Sequence, residues 1–599
     1  MTGRRFLALI ATTAEPLSPG WINSARKAAA SLVPLIEANR FMLWSNHRHG
    51  ITQAERHAIV GELFDRGSTR PETTLDDAAW TAIARSRGER LIERYWGSYV
   101  AFTTDDRCMA VVRAPMGDLG CYHARDGGVL LVASDLALLS DLGCRFTVDP
   151  GALARHIAYP EWRRSETCLG GVEELRGGDR LLVSADGADR ETLWSPWAFV
   201  GRDRMIDDPV EAARAVRNAV HLAVRARVTG HDRAVLLLSG GLDSAIVAAS
   251  LKATGTEVIG LNLIGDDAAS DERRYAEMVA RATGVELLTR KFDADRIDVR
   301  RSGAAHMPYP VHRCFTQAQD TVAAETAARC GADILIDGGG GDNVFFASRT
   351  VSILADCFVT GGLDTRFWSA ARTLGDLGQT GTWALAWRAV HRAWLRSPAP
   401  RQPPAVAFLS DAARSIVAET VAHPWFLPPQ GVLPGRASHV ALLTPAQNLV
   451  EAINAQSPHR TISPLVSQPV VEACLRVPSW LWLAPGRDRA TARRAFAPDL
   501  PGEIFARRSK GTPTGFVATI FDRQRQAIRD MLLGGRLVEF GLIDEAKLAQ
   551  ALSTPGPVRD LRFVRIMELV DAEAWAAAQI QGLQLSSTVR RLLECGSNA

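Results

Sequence analysis

Residues 234–251 read AVLLLSGGLDSAIVAASL. Ala234 to Leu238 are all apolar, Gly240 and Gly241 interrupt them, and a second apolar segment follows. Such a run predicts a buried strand, a tight turn and a helix. Three more apolar runs lie downstream: VIGLNLIG (258–265), VELLTRKF (285–292) and DILIDGGGG (333–341). Helix-length segments separate them, and strands alternating with helices predict a parallel α/β sheet. Upstream, residues 208–230 read DPVEAARAVRNAVHLAVRARVTG. Asp208 as N-cap, Pro209 in the first turn and Gly230 past the end predict a helix. Its buried face would carry Val210, Ala213, Val216, Val220 and Val224.

The first third of the chain has a different character. Short strand-like runs recur: RFLALIAT (5–12), SYVAFTT (98–104), CMAVVRA (108–114), VLLVAS (129–134) and DRLLVSA (179–185). They predict an α+β domain over 1–205, followed by an α/β domain over 206–599 whose later part, from about residue 350, is mostly helical. A chain of 599 residues is long enough for both. The formal net charge of +3 lacks the basic excess of a nucleic-acid binder. The nine cysteines are scattered singly with no CxxC pair, which excludes a zinc ribbon or a disulfide framework. The run Phe6–Ala11 is too short for a membrane span or a signal segment. A cytoplasmic protein with no membrane or nucleic-acid partner is expected.

Two glycine-rich turns are the candidate binding elements. In Leu238-Ser239-Gly240-Gly241-Leu242-Asp243-Ser244, glycines free backbone N–H groups to approach a phosphate, and the next helix adds its N-terminal donors. Asp243 fits beside a polyanion when Mg²⁺ bridges the two. No GK[ST] follows, so this is not a Walker A loop. Asp337-Gly338-Gly339-Gly340-Gly341-Asp342-Asn343 follows the DILI strand in the same way. Four consecutive glycines give up considerable chain entropy. That suggests backbone approaching a ligand, with Asp342 as a second Mg²⁺ ligand; the alternative is a flexible loop.

SGGLDS is identified as the pyrophosphate loop of the ATP-pyrophosphatase superfamily. The order of elements resembles the class-II asparagine synthetase family, which pairs an Ntn-type glutaminase domain with a synthetase domain. WGSYVAF (96–102), VVRAPMGDLGCYH (111–123) and VASDLALL (132–139) look like the glutaminase core. Ser270-Asp271-Glu272 with Tyr275-Ala276 looks like the helix start after the second synthetase strand, and Arg507-Arg508-Ser509-Lys510-Gly511 matches the R-x-K segment. The resemblance implies that ATP and pyrophosphate are held by Leu238, Ser239, Gly240, Gly241, Asp243, Ser244, Ile264, Asp337, Gly338 and Gly340. It implies Asp243 and Asp342 on Mg²⁺, and Lys510 as the catalytic cation.

The departures narrow the expectation. The family's N-terminal nucleophilic Cys has no counterpart in Met1-Thr2-Gly3, so the glutaminase half is expected to be inactive. The usual SGEGxDE reads DGGGGDN, with Asn343 replacing an acidic residue, and no Glu precedes Ser463-Pro464-Leu465. GGGGDNVF, SPLVSQPVVEACLRVP (463–478), GRDRATARRAF (486–496) and RRSKG together look like lasso-peptide cyclases. These adenylate an Asp or Glu side chain of a precursor peptide and join it to the peptide's own N-terminal amine. A leader-binding protein and a leader peptidase are the implied partners. His459 is the candidate base. Arg487, Arg489 and Arg493 read either as phosphate or carboxylate contacts or as a charged helix face. Trp480 and Trp482 line a peptide groove or pack in the core. The alternatives are an ammonia-dependent asparagine synthetase, a β-lactam-forming synthetase, a tRNA-modifying ATP pyrophosphatase and a catalytically dead scaffold.

Overall fold

All the strand runs quoted above form strands. Phe6–Ala11 alternates strictly: Phe6, Ala8 and Ile10 face one apolar cluster, while Leu7, Leu9 and Ala11 face another. It sits inside a six-stranded antiparallel sheet in the order 173–174, 122–126, 129–133, 6–11, 41–45, 33–38. A second six-stranded antiparallel sheet runs 187–192, 179–184, 109–113, 95–104, 57–65, 51–53. The two share an inner layer that includes Phe6, Phe41, Leu43, Val100, Phe102 and Val111. Helices Pro19–Ala28 and Leu136–Asp141 contribute to the core behind one sheet, and Asp77–Arg85 and Glu89–Arg94 to the core behind the other. The computed structural model describes the chain apart from residues 1–3, 47–49, 54–55, 106–107, 185–186, 266–270, 396–397, 453–456, 458, 508–513, 554–561 and 597–599.

The second sheet system is parallel. Its strands are β1 (Arg233–Leu237), β2 (Glu257–Ile264), β3 (Glu286–Lys291), β4 (Ile334–Ile336) and β5 (Arg460–Ile462), in the order β3-β2-β1-β4-β5. Four elements matter below: α1 (Pro209–Val228), α2 (Leu242–Leu251), α3 (Thr382–Leu395) and α4 (Ala490–Phe496). Asp208 caps α1 by accepting from the N–H groups of Val210 and Glu211. Val216, Val220 and Val224 are fully buried, but Val210 is 71% exposed, because the first turn projects past the core. The chain enters the sheet at β1, builds outward to β3, then returns to the other side of β1 with β4. Order reverses between β1 and β4, and ligands bind in the crevice at the carboxyl ends of such strands. β5 was not legible in the sequence. It is three residues long, begins with Arg460, and is a strand only because β4 pairs with it.

Arg460 enters a buried cluster that ties the antiparallel sheets to β5. Its guanidinium donates to Glu62 at 2.6 Å and to Asp118 at 2.7 Å. Arg227 of α1 lies 2.9 Å from both carboxylates, and Arg4 lies 2.8 Å from Asp118. A second buried set, Arg113, Arg163, Glu174 and Glu451, also joins early and late residues. Burial pushes Glu62 and Asp118 upward, but the three arginines outweigh it and hold both carboxyls well below their usual range. A depressed carboxyl stabilises the fold above its unfolded pKa of about 4 and loses that contribution as pH falls. Thermal melts are therefore expected to drop steeply below about pH 5, with each carboxylate contributing on the order of 2 kcal/mol at neutral pH. Arg460→Met should lower stability at pH 7 and flatten that acid slope.

Among the described residues no helix is long and apolar enough to cross a membrane, and the eight described cysteines are free.

Candidate active site

The turn after β1 is built by hydrogen bonds as much as by glycine. The Leu238 N–H donates to the Leu261 carbonyl at 2.8 Å, extending the strand edge. Asn262, buried on β2, donates its amide to the Leu238 carbonyl at 2.9 Å. The Ser239 and Ser244 hydroxyls lie 3.2 Å apart, and the Gly241 N–H donates to Ser239 Oγ at 3.3 Å. Gly240 has φ +71°, and a Cβ there would sit 2.6 Å from the Ala276 nitrogen. The helix α2 then starts from Gly241 with no side chain capping it. A ten-residue helix presenting first-turn N–H groups beside two hydroxyls is an anion cradle.

The glycine loop after β4 packs directly on that helix start. A Cβ on Gly338 would lie 2.6 Å from the Ser244 nitrogen, and one on Gly341 would lie 2.5 Å from Asp243 Cγ. Ligand approach was the expected reason for these glycines; at Gly338 and Gly341 the close neighbour is instead the first turn of α2. Gly338→Ala cannot be absorbed by side-chain movement, since the neighbour is backbone. It should cost about 1–3 kcal/mol of stability and move the two loops apart. ATP turnover is then expected to fall by roughly a hundredfold, measured beside a thermal melt.

Asp337 is occupied within its own loop. It accepts from Ser463 Oγ at 2.6 Å and from the Gly339 N–H at 2.9 Å, and burial raises its pKa against both bonds. It shapes the loop on which Gly338 and Gly340 sit. Asn343 turns away and donates to the Leu442 carbonyl at 2.9 Å.

Asp243 and Asp342 converge on one cation, Arg489. Its Nη1 lies 3.2 Å from each Asp243 carboxylate oxygen and 2.5 Å from Asp342 Oδ1. Asp243 is buried, whereas the Asp342 side chain is 47% exposed at the mouth. Arg489 reaches inward from a left-handed backbone, φ 52°, immediately before α4. Burial works against its charge, but Asp243, Asp342 and Asp488 raise its pKa overall. Arg493 instead braces the turn, donating to the Asp488 and Phe505 carbonyls at 2.9 and 2.7 Å. The backbone of Arg487 closes a bridge with Ala484. Two carboxylates around one positive centre fit Mg²⁺, which takes one or two carboxylates and leaves its other positions to water and phosphate. The described residues contain no group of three or more His, Cys, Asp or Glu that would hold a metal by themselves.

Arg507, the residue before the R-x-K segment in sequence, is itself held at the turn after β1. It donates to the Gly240 carbonyl at 3.3 Å, pairs with Glu272, and stacks over the Tyr275 ring with 4.4 Å to the centroid. Lys510 lies outside the described residues, as do Ser270 and Met1-Thr2-Gly3. Ile264 ends β2 at the same sheet edge as the loops, and its carbonyl accepts from the Phe292 N–H at 3.1 Å. His459 is not brought to this site. It precedes β5 at the amino end of the sheet, about 13 Å along the strand from Ser463 at the carboxyl end. Trp480 and Trp482 are both buried. Sequence reasoning assigned no site role to Asn262, Glu272, Ser463 or Arg507. Glu272, Ser463 and Arg507 carried a signal in the segments quoted above; Asn262 carried none beyond a polar residue in an apolar strand.

The model of the family described as asparagine synthase matches residues 215–407 and 450–577, more than half of the chain. This chain belongs to the asparagine synthase family. The matched segments contain both glycine loops, Arg489, Arg507 and Lys510, and the family is one of ATP-dependent carbon–nitrogen ligases. No curated protein matches the sequence. Among solved structures, the chain is similar to the allosteric regulatory enzyme of purine biosynthesis at 9% identity, covering 56% of this chain and 89% of that one, with a TM-score of 0.22. It is also similar to the glutamine phosphoribosylpyrophosphate amidotransferase from B. subtilis complexed with ADP and GMP. There the identity is 11%, the coverage 56% and 90%, and the TM-score 0.21.

Proposed function

We propose that this asparagine synthase family member is a lasso-peptide cyclase, which adenylates an Asp or Glu side chain of a precursor peptide and closes a macrolactam with the peptide's N-terminal amine. The convergence of Asp243 and Asp342 on one cation, beside the uncapped start of α2, carries the adenylation half of the reading. A carboxylate oxygen attacks the α-phosphorus of ATP and the bond to pyrophosphate breaks. Ser239, Ser244 and the first N–H groups of α2 take the charge of the leaving group. Asp243 and Asp342 would hold Mg²⁺, which when bound would further neutralise the phosphates. Arg489 exchanges its two carboxylates for phosphate oxygens, and Lys510, by the family resemblance, offsets the charge on the adenylate. The amine nitrogen then attacks the acyl carbon, AMP leaves with the acyl C–O electrons, and one proton is lost to a base other than His459.

The amine's origin in the substrate is supported by the first domain, residues 1–205, read as a degenerate Ntn-type glutaminase. Precursor peptide, leader-binding protein and leader peptidase are the proposed partners, and the cytoplasm the proposed location. The test is mass spectrometry of a leader-free core peptide with ATP and Mg²⁺, run with Asp243→Ala as control. A product one water lighter, with AMP released and no reaction in the control, supports the cyclase. An unchanged peptide in the presence of both processing partners overturns it, and small carboxylates with ammonia then become the substrates to try.

A further inference from the structure

Helix α3 carries a row of tryptophans that the fold leaves outside. Trp383, Trp387 and Trp394 are 78%, 72% and 72% exposed, while Leu385, Ala386 and Ala389 bury the opposite side. At 100° per residue the three indoles fall within about 40° of one another, in a line about 16 Å long. Other exposed large hydrophobic residues among those described are Val and Leu, such as Val359 and Leu363. Two of the indoles are held edge-on at their bases: Trp383 against Trp368 at 5.0 Å and Trp394 against Phe358 at 5.4 Å. The row is thus a ridge braced at both ends.

The chemistry beside the ridge is one-sided. Residues 382–395 include Arg388, His391 and Arg392 and no Asp or Glu. A cavity of about 320 Å³ is lined by Val351, Trp387, Arg388, His391 and Arg392. Arg392 donates to the Pro398 and Ala399 carbonyls at 3.2 and 3.0 Å, while Arg388 and His391 stand between it and the indole row along the helix surface.

We propose that α3 docks this protein on an anionic lipid bilayer, with the three indoles at the headgroup level and Arg388, with His391 beside it, meeting lipid phosphates. Tryptophan is the side chain enriched at membrane–water interfaces, where its ring sits among headgroups. Interfacial helices combine such a face with flanking arginines, and their attraction grows with anionic lipid. Protein hot spots are also rich in Trp and Arg; the bilayer is the occupant proposed because three indoles in one straight row can all reach a single headgroup plane at once. Docking of this kind needs no spanning helix.

The test is co-sedimentation of the full chain with vesicles of phosphatidylcholine and phosphatidylglycerol, compared with vesicles of phosphatidylcholine alone. Binding to the anionic vesicles should be roughly tenfold tighter or more, and added salt should weaken it. Trp383→Ala/Trp387→Ala/Trp394→Ala should lower that binding at least about tenfold, with turnover of a freely soluble substrate unchanged. Trp387→Ala alone, which disturbs neither recorded ring contact, should give a smaller loss and covers the case in which the triple variant does not fold. Equal or absent binding to both vesicle types overturns the proposal, as does binding that ignores these substitutions. Loss of precursor-peptide binding in Trp387→Ala, without any lipid effect, would assign the ridge to a peptide and overturn it too.

Discussion

Asp243→Asn should lower the rate of pyrophosphate release by about a thousandfold while leaving the melting temperature within a few degrees. The substitution keeps the size of the side chain and a hydrogen-bond acceptor toward Arg489, so the packing around α2 survives. It removes one of the two negative charges that converge on Arg489 Nη1. The loss should therefore appear as a changed metal requirement as well as a slower rate. The Mg²⁺ concentration giving half-maximal pyrophosphate–ATP exchange is expected to rise, because a site with one carboxylate holds the ion less tightly. Asp342→Asn should act in the same direction with a smaller effect, since Asp342 is half-exposed and its field is screened. Unchanged exchange in Asp243→Asn would mean that this carboxylate serves the Arg489 contact and no metal.

Arg489→Ala carries the second large effect, on the order of a hundredfold in turnover. Its stability signature is more diagnostic than its rate. Without the guanidinium, Asp243 and Asp342 lose the charge they share, and like charges so placed repel. The variant should melt lower than the parent in the absence of Mg²⁺. Added Mg²⁺ without nucleotide should then recover several degrees, because a ligand that binds only the folded chain stabilises it, by about 2.7 kcal/mol at a hundred times its Kd. The parent, with Arg489 already seated, should respond far less. A variant indifferent to Mg²⁺ would separate the two carboxylates from metal binding.

Much of this was legible because the deciding signals are local. Strand, glycine turn and helix follow one another within 234–251, and the Asp208-Pro209 start of α1 announces itself in two residues. What failed depended on distance along the chain. Arg460–Ile462 has no strand signature of its own, and without β5 there was no way to see that His459 and Ser463 stand at opposite ends of a sheet. His459 looked attractive through its nearness in sequence to Ser463-Pro464; an extended strand turns that nearness into separation. Arg489 read equally well as helix surface, because its reach toward Asp243 depends on a left-handed residue before α4. The four glycines drew attention for a sound reason, chain entropy, but Gly338 and Gly341 meet the protein's own helix start.

The Glu62–Asp118–Arg460 cluster makes the first 205 residues hard to discard. Arg460 opens β5, and three residues later Ser463 fixes Asp337 and hence the glycine loop. The anchoring charges in residues 4, 62 and 118 lie upstream of every element of the candidate site. Expressed as a separate polypeptide, the second half would expose Arg227 and Arg460 without counter-charges and leave the edge strand of its sheet untethered. Whatever other chemistry they carry, residues 4, 62 and 118 then act as a splint for the strand on which Ser463 is hung.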